Sequence, residues 1–127
     1  MVVLSPEMQV FVEERHLATL TLVRADGHPH VTPVGFTWDQ GSGLVRVITW
    51  AGAVKARLLE TGPLRASVCQ VEGGRWVTLE GSAVVTADLQ RCHEGVQRYA
   101  DRYSAPKDRG NDRRVIEVTV DHVMGRG

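Results

Sequence analysis

Two basic side chains close together, Lys55 and Arg57, are the sequence feature with the clearest chemical meaning. They follow the segment Trp50–Ala53 and fall in the opening turn of a predicted helix. The helix dipole disfavours cations at that end, whereas free backbone N–H groups together with two cations make a strong phosphate site. The spacing therefore predicts anion binding at Lys55 and Arg57. The alternative is a solvated face whose cations pair with a carboxylate elsewhere, such as Glu60.

Histidine, tryptophan and cysteine side chains give weaker indications. His28 and His30 have a spacing at which two strand residues can share a face and bind a metal, but no third ligand is evident in the sequence, and His28 is expected to be a solvated turn residue. We therefore predict no metal site and expect His30 to donate to a ligand or to the backbone. Trp76 begins another strand, where its ring either covers a planar cofactor or packs on the sheet. Cys69 and Cys92 lack ligand-like spacing, so we expect both to be packed as small apolar side chains.

A polar loop over residues 106–114 carries four basic residues mixed with acidic ones. Such a loop is usually solvated, and the alternative is that its cations close over an anionic ligand. The usual catalytic motifs are missing: no phosphate-binding loop, nucleophile elbow, zinc-protease helix or dinucleotide-binding turn occurs in the sequence. An enzyme with this sequence would therefore rely on a bound cofactor for its reaction.

The first half of the chain reads as a helix followed by strands. Ser5 is a good helix cap, and the helix is predicted to stop near His16, where the apolar period changes to that of a strand over residues 17–24. A turn at Asp26-Gly27 leads to a second strand over residues 31–38. Pro33 and Gly35 weaken this strand, which indicates an edge or a bulge that lines a site.

The second half of the chain alternates strands and helices. The predicted elements are a strand over residues 44–49, a helix over 54–60, a hairpin of strands over 65–71 and 75–86, a helix from the cap Asp88 to Tyr103, and a strand over 114–123. Hairpin-linked strands are antiparallel, and closing into a barrel protects their edges. We predict one domain over residues 1–127 that is mainly β, with a six-stranded antiparallel barrel and peripheral helices.

Composition excludes several classes of function. The chain has 127 residues, of which 43% are hydrophobic and 24% charged, and its 15 basic and 15 acidic side chains cancel. This balance argues against a general nucleic-acid binder. No apolar run approaches the roughly 20 residues of a membrane helix, and the N-terminus does not read as a secretory signal, so we expect a cytoplasmic protein without a membrane partner. A neutral surface also permits a homodimer.

The order and spacing of several segments resemble the flavin and deazaflavin split-barrel superfamily, which includes pyridoxamine 5′-phosphate oxidase. Within it the chain is most similar to the actinobacterial deazaflavin-dependent reductases, particularly the biliverdin reductase branch. The resemblance covers residues 7–124 and is carried by the segments Glu14–Ala18, Pro29–Thr37, Arg46–Thr49, Val54–Ala56, Arg75–Gly81 and Arg98–Tyr103.

The resemblance implies an FMN-binding split barrel that forms a homodimer, with two sites at the subunit interface. It also implies the cofactor coenzyme F-420, an 8-hydroxy-5-deazaflavin with a phosphate and a polyglutamate tail. No position matches a catalytic acid, so the catalytic residues stay unknown. The positions that match cofactor-binding positions of the family are His30, Val31, Thr32, Pro33 and Val34 beside the ring and its chain, Ile48 and Thr49 along the chain, Val54, Lys55 and Arg57 at the phosphate, and Trp76 nearby.

The predicted function is hydride transfer from the reduced deazaflavin to a conjugated planar acceptor such as the small molecule biliverdin. The chain lacks the C-terminal segment with which pyridoxamine phosphate oxidases bind their substrate, which disfavours vitamin B6 oxidation. The alternatives are an FMN-dependent reductase or oxidase on the same barrel, a non-catalytic flavin or deazaflavin carrier, and a haem-binding protein.

Overall fold

The structure, a computed structural model, describes residues 2–127. In this part of the chain it contains three α-helices, seven strands and one 3₁₀ turn. The helices are α1 (Pro6–Glu13), α2 (Val54–Glu60) and α3 (Leu89–Arg102), and the 3₁₀ turn is Gly110–Asp112. The strands are β1 (Ala18–Val23), β2 (Pro29–Val34), β3 (Thr37–Asp39), β4 (Leu44–Trp50), β5 (Leu64–Glu72), β6 (Arg75–Thr86) and β7 (Arg113–Arg126).

All strands join one antiparallel sheet in the order β2-β1-β5-β6-β7-β4-β3. The predicted number of six strands is wrong, because the run over residues 31–38 breaks into β2 and β3 at Gly35-Phe36. The reason lies in α3: the backbone N–H of Phe36 donates to the Tyr103 hydroxyl, and its carbonyl accepts from Arg102. These bonds take the place of ladder bonds at Phe36, so the strand is interrupted there.

The two edge strands, β2 and β3, are consecutive in the chain, so the sheet curves back on itself and stays split where they meet. The predicted antiparallel split barrel with peripheral helices is confirmed. Pro33 lies in the edge strand β2 opposite Thr19, in agreement with the expectation from its missing N–H. Gly27, with φ of +91°, allows the tight turn between β1 and β2.

Helix caps predicted from the sequence are present. Ser5 Oγ accepts from the Met8 N–H at 3.2 Å, and the Asp88 carboxylate accepts from the Arg91 N–H at 2.9 Å. Helix α1 ends at Glu13, earlier than predicted, since Glu14 is already extended and its carbonyl accepts from Arg102. Strand β7 is longer than predicted because it pairs with both β4 and β6.

The core fills the barrel with aliphatic side chains and two phenylalanines, Phe11 and Phe36. A bulge in β6 between Glu80 and Gly81 brings the two backbones of β6 and β7 close together. A Cβ atom at Gly81 would lie 1.9 Å from the Thr119 carbonyl oxygen, so only glycine fits there. Among the described residues, none of the helices is long and apolar enough to cross a bilayer.

Candidate functional site

A solvent-open cavity of about 300 Å³ lies where the ends of β2 and β4 meet α2, α3 and the loop before β7. Its apolar wall comes from the two strands and its charged wall from α2 and the loop. This arrangement follows from the break after β2 and from the turn after β4, which place three separate elements around one space. The lining residues are Pro33, Val34, Gly35, Val47, Ile48, Trp50, Lys55, Tyr99, Pro106, Lys107, Arg109 and Arg113.

Lys55 enters the cavity from the first turn of α2. Its Nζ lies 5.7 Å from the centroid of the Trp50 ring, and burial lowers the pKa of its ammonium group. Among residues 2–127 no carboxylate lies within 4 Å of it, so the pairing with Glu60 that the sequence left open is not formed. Lys55 is therefore a partly desolvated cation without a carboxylate partner in the described structure.

Three more cations reach the same cavity from the loop before β7 and from its first residue. The Arg109 guanidinium stacks 4.5 Å from the Trp50 ring centroid, so this ring contacts two cations. Arg113 donates to the carbonyl of Thr49 at 3.2 Å and to that of Lys107 at 2.6 Å, which ties the loop to the end of β4. With Lys55 and Lys107, four cations and no carboxylate line the cavity.

The electrostatics of this cavity favour an anion. The pKa of Arg113 is lowered first by burial and then by the nearby charge of Arg109, while Asp108 and Asp112 oppose this effect more weakly. Burial also lowers the pKa of His30, and so do the charges of Arg24 and Lys55. Burial is thus the main cause of these lowered pKa values, and the charges of neighbouring cations add to it at His30 and Arg113. A bound anion would stabilise the charged forms of these buried cations.

The floor of the cavity is fixed by α3. A Cβ atom at Gly35 would lie 3.0 Å from the rings of both Tyr99 and Tyr103, so glycine lets these rings pack directly on the end of β2. The Tyr103 hydroxyl donates to the His16 carbonyl at 2.8 Å and accepts from the Phe36 N–H at 3.3 Å. The interruption of the strand after β2 is thus stabilised by side chains at the end of α3, and Tyr99 forms part of the cavity wall.

Two buried hydroxyl groups lack a hydrogen-bond partner within the described residues, Thr32 Oγ1 on β2 and Thr49 Oγ1 on β4. Their residues are next in sequence to the lining residues Pro33 and Ile48. A buried hydroxyl without a partner costs free energy of folding, and a polar ligand group could satisfy it. No group of three metal-ligating side chains occurs in residues 2–127.

The structure brings together part of the predicted cofactor-binding set. Pro33, Val34, Ile48 and Lys55 line the cavity, and Thr49 supports it through its carbonyl bond to Arg113. His30, exposed Val31 and Thr32 precede these residues on β2.

The remaining predicted residues lie elsewhere in the protomer. Val54 and Arg57 line a separate cavity of about 520 Å³ together with residues 58, 60 and 61. Trp76 is on β6, which β1 and β5 separate from β2. The roles of these residues in cofactor binding stay predictions.

Eight lining residues lie outside the predicted cofactor-binding set: Gly35, Val47, Trp50, Tyr99, Pro106, Lys107, Arg109 and Arg113. The basic loop was a usable signal, because the alternative interpretation of its cations, closure over an anion, agrees with the geometry. No spacing rule connects that loop to Trp50 or to Tyr99, since they meet only through the fold. The cationic character of the site is therefore stronger than Lys55 and Arg57 alone indicated.

Comparison with known proteins places this geometry in a family. The family model for pyridoxamine 5′-phosphate oxidase matches residues 4–126. A biliverdin reductase of Mycobacterium tuberculosis (strain CDC 1551 / Oshkosh) that depends on reduced coenzyme F-420 is 46% identical over 123 residues, which are 96% of this chain and 88% of that protein.

Solved structures share the fold. A conserved hypothetical protein of Mycobacterium tuberculosis superposes with a TM-score of 0.79 at 24% identity, covering 98% of this chain and 86% of that one. An F-420 reductase gives a TM-score of 0.71 at 22% identity, with 96% and 98% covered. The haem storage protein HutZ of Vibrio cholerae gives 0.75 at 21% identity, with 99% and 96% covered. With the family match over nearly its whole length, the chain belongs to the pyridoxamine 5′-phosphate oxidase family and is a homologue of the F-420-dependent biliverdin reductase.

Proposed function

We propose that this protein is an oxidoreductase that binds coenzyme F-420 and transfers a hydride from its reduced form to biliverdin or a related conjugated planar acceptor. The observation that carries the proposal is the cavity lined by four cations and no carboxylate, beside an edge strand. The 46% identity to a biliverdin reductase dependent on this coenzyme supports the choice of cofactor and acceptor.

The residues present fit the coenzyme in charge and in polarity. Lys55, Lys107, Arg109 and Arg113 would hold its phosphate and acidic tail, because charge-assisted hydrogen bonds in a partly desolvated cavity are strong. Thr32 and Thr49 offer hydroxyl groups that have no partner among the described residues, and Ile48 together with Pro33 offers an apolar surface.

The reduced coenzyme supplies the hydride when it is bound. The residues of the chain would bind and orient the coenzyme. The cations would hold its anionic end, and the end of β2 together with Ile48 would contact its planar end. Burial and the charges of Arg24 and Lys55 lower the pKa of His30, whose ring would offer a hydrogen bond to the coenzyme. No residue is assigned as the proton donor.

Turnover tests this function directly. Purified protein is mixed with reduced F-420 and biliverdin, and the loss of biliverdin absorbance is followed together with the return of oxidised coenzyme absorbance in equal amounts. We expect stoichiometric conversion that depends on the protein. Binding of the coenzyme without turnover of biliverdin or related acceptors would favour a carrier, and saturable binding of FMN alone would refute the choice of cofactor.

A second copy of the chain is the proposed partner. On β1, β5 and β6, the face that carries Thr19 and Ser67 mixes small uncharged residues with charged ones such as Glu80, which lies opposite Ser67. Val31 and Val71 beside it are 54% and 62% exposed. Exposed apolar side chains on a sheet suit association with a second copy of the chain. Sedimentation velocity at micromolar concentration should give a dimer, and a monomer would contradict this. The cytoplasmic location predicted from the sequence stays a prediction.

A further inference from the structure

A second cavity, which we call the outer cavity, lies on the other side of the loop before β7. It has a volume of about 310 Å³, at the lower end of the range for small-molecule sites. One wall is the beginning of α3 and the other is the loop itself. Its lining residues are Leu89, Cys92, His93, Val96, Pro106, Lys107, Asp108, Arg109, Gly110 and Arg113.

The two cavities share their charged wall. Lys107, Arg109 and Arg113 line both of them, so the loop between the cavities presents cations to each side. Within the described residues none of these three side chains has a carboxylate within 4 Å. Asp108 is the one acidic lining residue, and its carboxylate already accepts from the Gly110 N–H at 2.8 Å. The shared wall therefore carries a net positive charge, with three cations against one carboxylate.

The opposite wall of the outer cavity, from α3, carries the aliphatic side chains Leu89 and Val96 with His93 between them. Leu89 is 80% exposed although it is the first residue of α3, and Val96 lies two turns further along the same helix. Exposing a leucine side chain to water is unfavourable, and the neighbouring exposed positions of α3 are polar or charged. A cavity with cations on one side and aliphatic carbon on the other matches a ligand that has an apolar body and an anionic end.

We propose that the outer cavity is a second binding site, which takes an apolar molecule carrying a carboxylate. The carboxylate would meet Arg109 and Lys107, because a guanidinium can bind both carboxylate oxygens, and the apolar body would lie against Leu89 and Val96. Because the same cations face the inner cavity, an anion in either cavity weakens binding of an anion in the other. The binding itself does not depend on the proposed function, whereas this coupling to coenzyme F-420 rests on it.

The test uses a matched pair of fluorescent probes, pyrenebutyrate and the uncharged pyrenebutanol. We expect saturable binding of pyrenebutyrate and at least about tenfold weaker binding of pyrenebutanol, which cannot form a charge-assisted hydrogen bond. Coenzyme F-420 should raise the apparent Kd of pyrenebutyrate by at least about fivefold, within the usual range of coupling between sites. Equal binding of both probes would overturn the proposal.

Variants locate the probe. Leu89→Ser should weaken pyrenebutyrate about fivefold through lost apolar contact, and its fold should be retained because the side chain is exposed. Gln97→Ser, at an exposed position of α3 outside the cavity, is the matched control and should leave probe binding unchanged. Lys55→Ala, which lines the inner cavity only, should weaken the coenzyme and leave the probe unaffected.

The outcomes separate this proposal from the proposed function. If Lys55→Ala weakens pyrenebutyrate as much as Leu89→Ser does, the probe lies in the inner cavity and the second site is refuted. If Leu89→Ser has no effect, the apolar wall does not bind it, and the proposal also fails. If pyrenebutyrate binds more tightly than pyrenebutanol and is weakened by Leu89→Ser, but coenzyme F-420 does not bind, the outer site stands and the proposed function is refuted.

Discussion

Replacing Arg102 by alanine should destabilise the protein strongly and loosen the floor of the candidate site. The guanidinium of Arg102 donates to the Glu14 carbonyl at 3.0 and 2.7 Å, to the Phe36 carbonyl and to the buried Gln70 Oε1 at 2.7 Å. It also stacks on the Phe36 ring at 4.6 Å. One side chain thus joins α3 to the end of α1, to the break after β2 and to β5.

The expected loss follows from the acceptors left behind. Arg102→Ala removes the donor to the Glu14 carbonyl and to Gln70 Oε1, and each unpaired acceptor costs about 1 kcal/mol or more. The Phe36 carbonyl keeps its bond from the Tyr103 hydroxyl at 3.3 Å but loses the Arg102 bond and the guanidinium stacked on the Phe36 ring. Since Arg102 also lines a solvent-open cavity, water can reach part of the vacated space. We therefore expect a loss of about 3 kcal/mol in the free energy of unfolding, or about 10 °C in Tm for a chain of this length.

Urea denaturation followed by tryptophan fluorescence measures this loss. Arg98→Ala is the matched control one turn earlier on α3, where the side chain is paired with Asp39 at 3.2 Å and with Glu94 at 3.3 Å. The control should lose about 1 kcal/mol or less, because partly exposed ion pairs contribute little. A loss below about 1 kcal/mol for Arg102→Ala would show that the carbonyl contacts do not hold the break after β2.

Two further predictions concern titration and the unpaired hydroxyl groups. The bidentate hydrogen bonds from Arg75 lower the pKa of Glu14 from 4.5 to about 2, so its contribution to stability is complete above pH 4.5 and lost as the pH falls towards 2. The Tm should therefore fall between pH 6 and pH 2.5. Glu14→Gln should lower Tm at pH 6 and make the fall below pH 4.5 less steep, whereas an unchanged slope would contradict the assigned pKa. Thr49→Val should leave the Tm of the coenzyme-free protein equal or higher, since the lost hydroxyl has no partner among the described residues. It should also weaken the binding of coenzyme F-420 in a fluorescence titration. A lower Tm with unchanged affinity would show that the hydroxyl stabilises the fold instead.

Local signals made much of the fold predictable. The caps at Ser5 and Asp88 and the Asp26-Gly27 turn follow from short-range chemistry, and the structure contains all three features. The strand count was missed because nothing near Gly35-Phe36 in the sequence shows that Tyr103 and Arg102, far along the chain, take the hydrogen bonds of Phe36. The interruption of the strand therefore depends on long-range contacts.

The positive charge of the candidate site could be predicted from the sequence, but only some of its lining residues could. Lys55 was expected from its position in α2, whereas Arg109 and Arg113 join it only because Arg113 bonds the carbonyls of Thr49 and Lys107 and so folds the loop against β4. Arg57, two residues after Lys55, lines a different cavity. Two residues in the same helical turn can thus line different cavities, and helix periodicity alone does not predict which cavity each one lines.

Coenzyme affinity is the most direct test of the central claim that the cation-lined cavity holds the anionic end of F-420. The Kd for F-420 is measured by fluorescence for the unchanged protein, for Lys55→Ala and for Arg15→Ala, which removes an exposed cation away from the cavity. We expect Lys55→Ala to raise Kd by about 10- to 100-fold, corresponding to one charge-assisted hydrogen bond, and Arg15→Ala to leave it unchanged. Equal Kd values for all three proteins would contradict the claim.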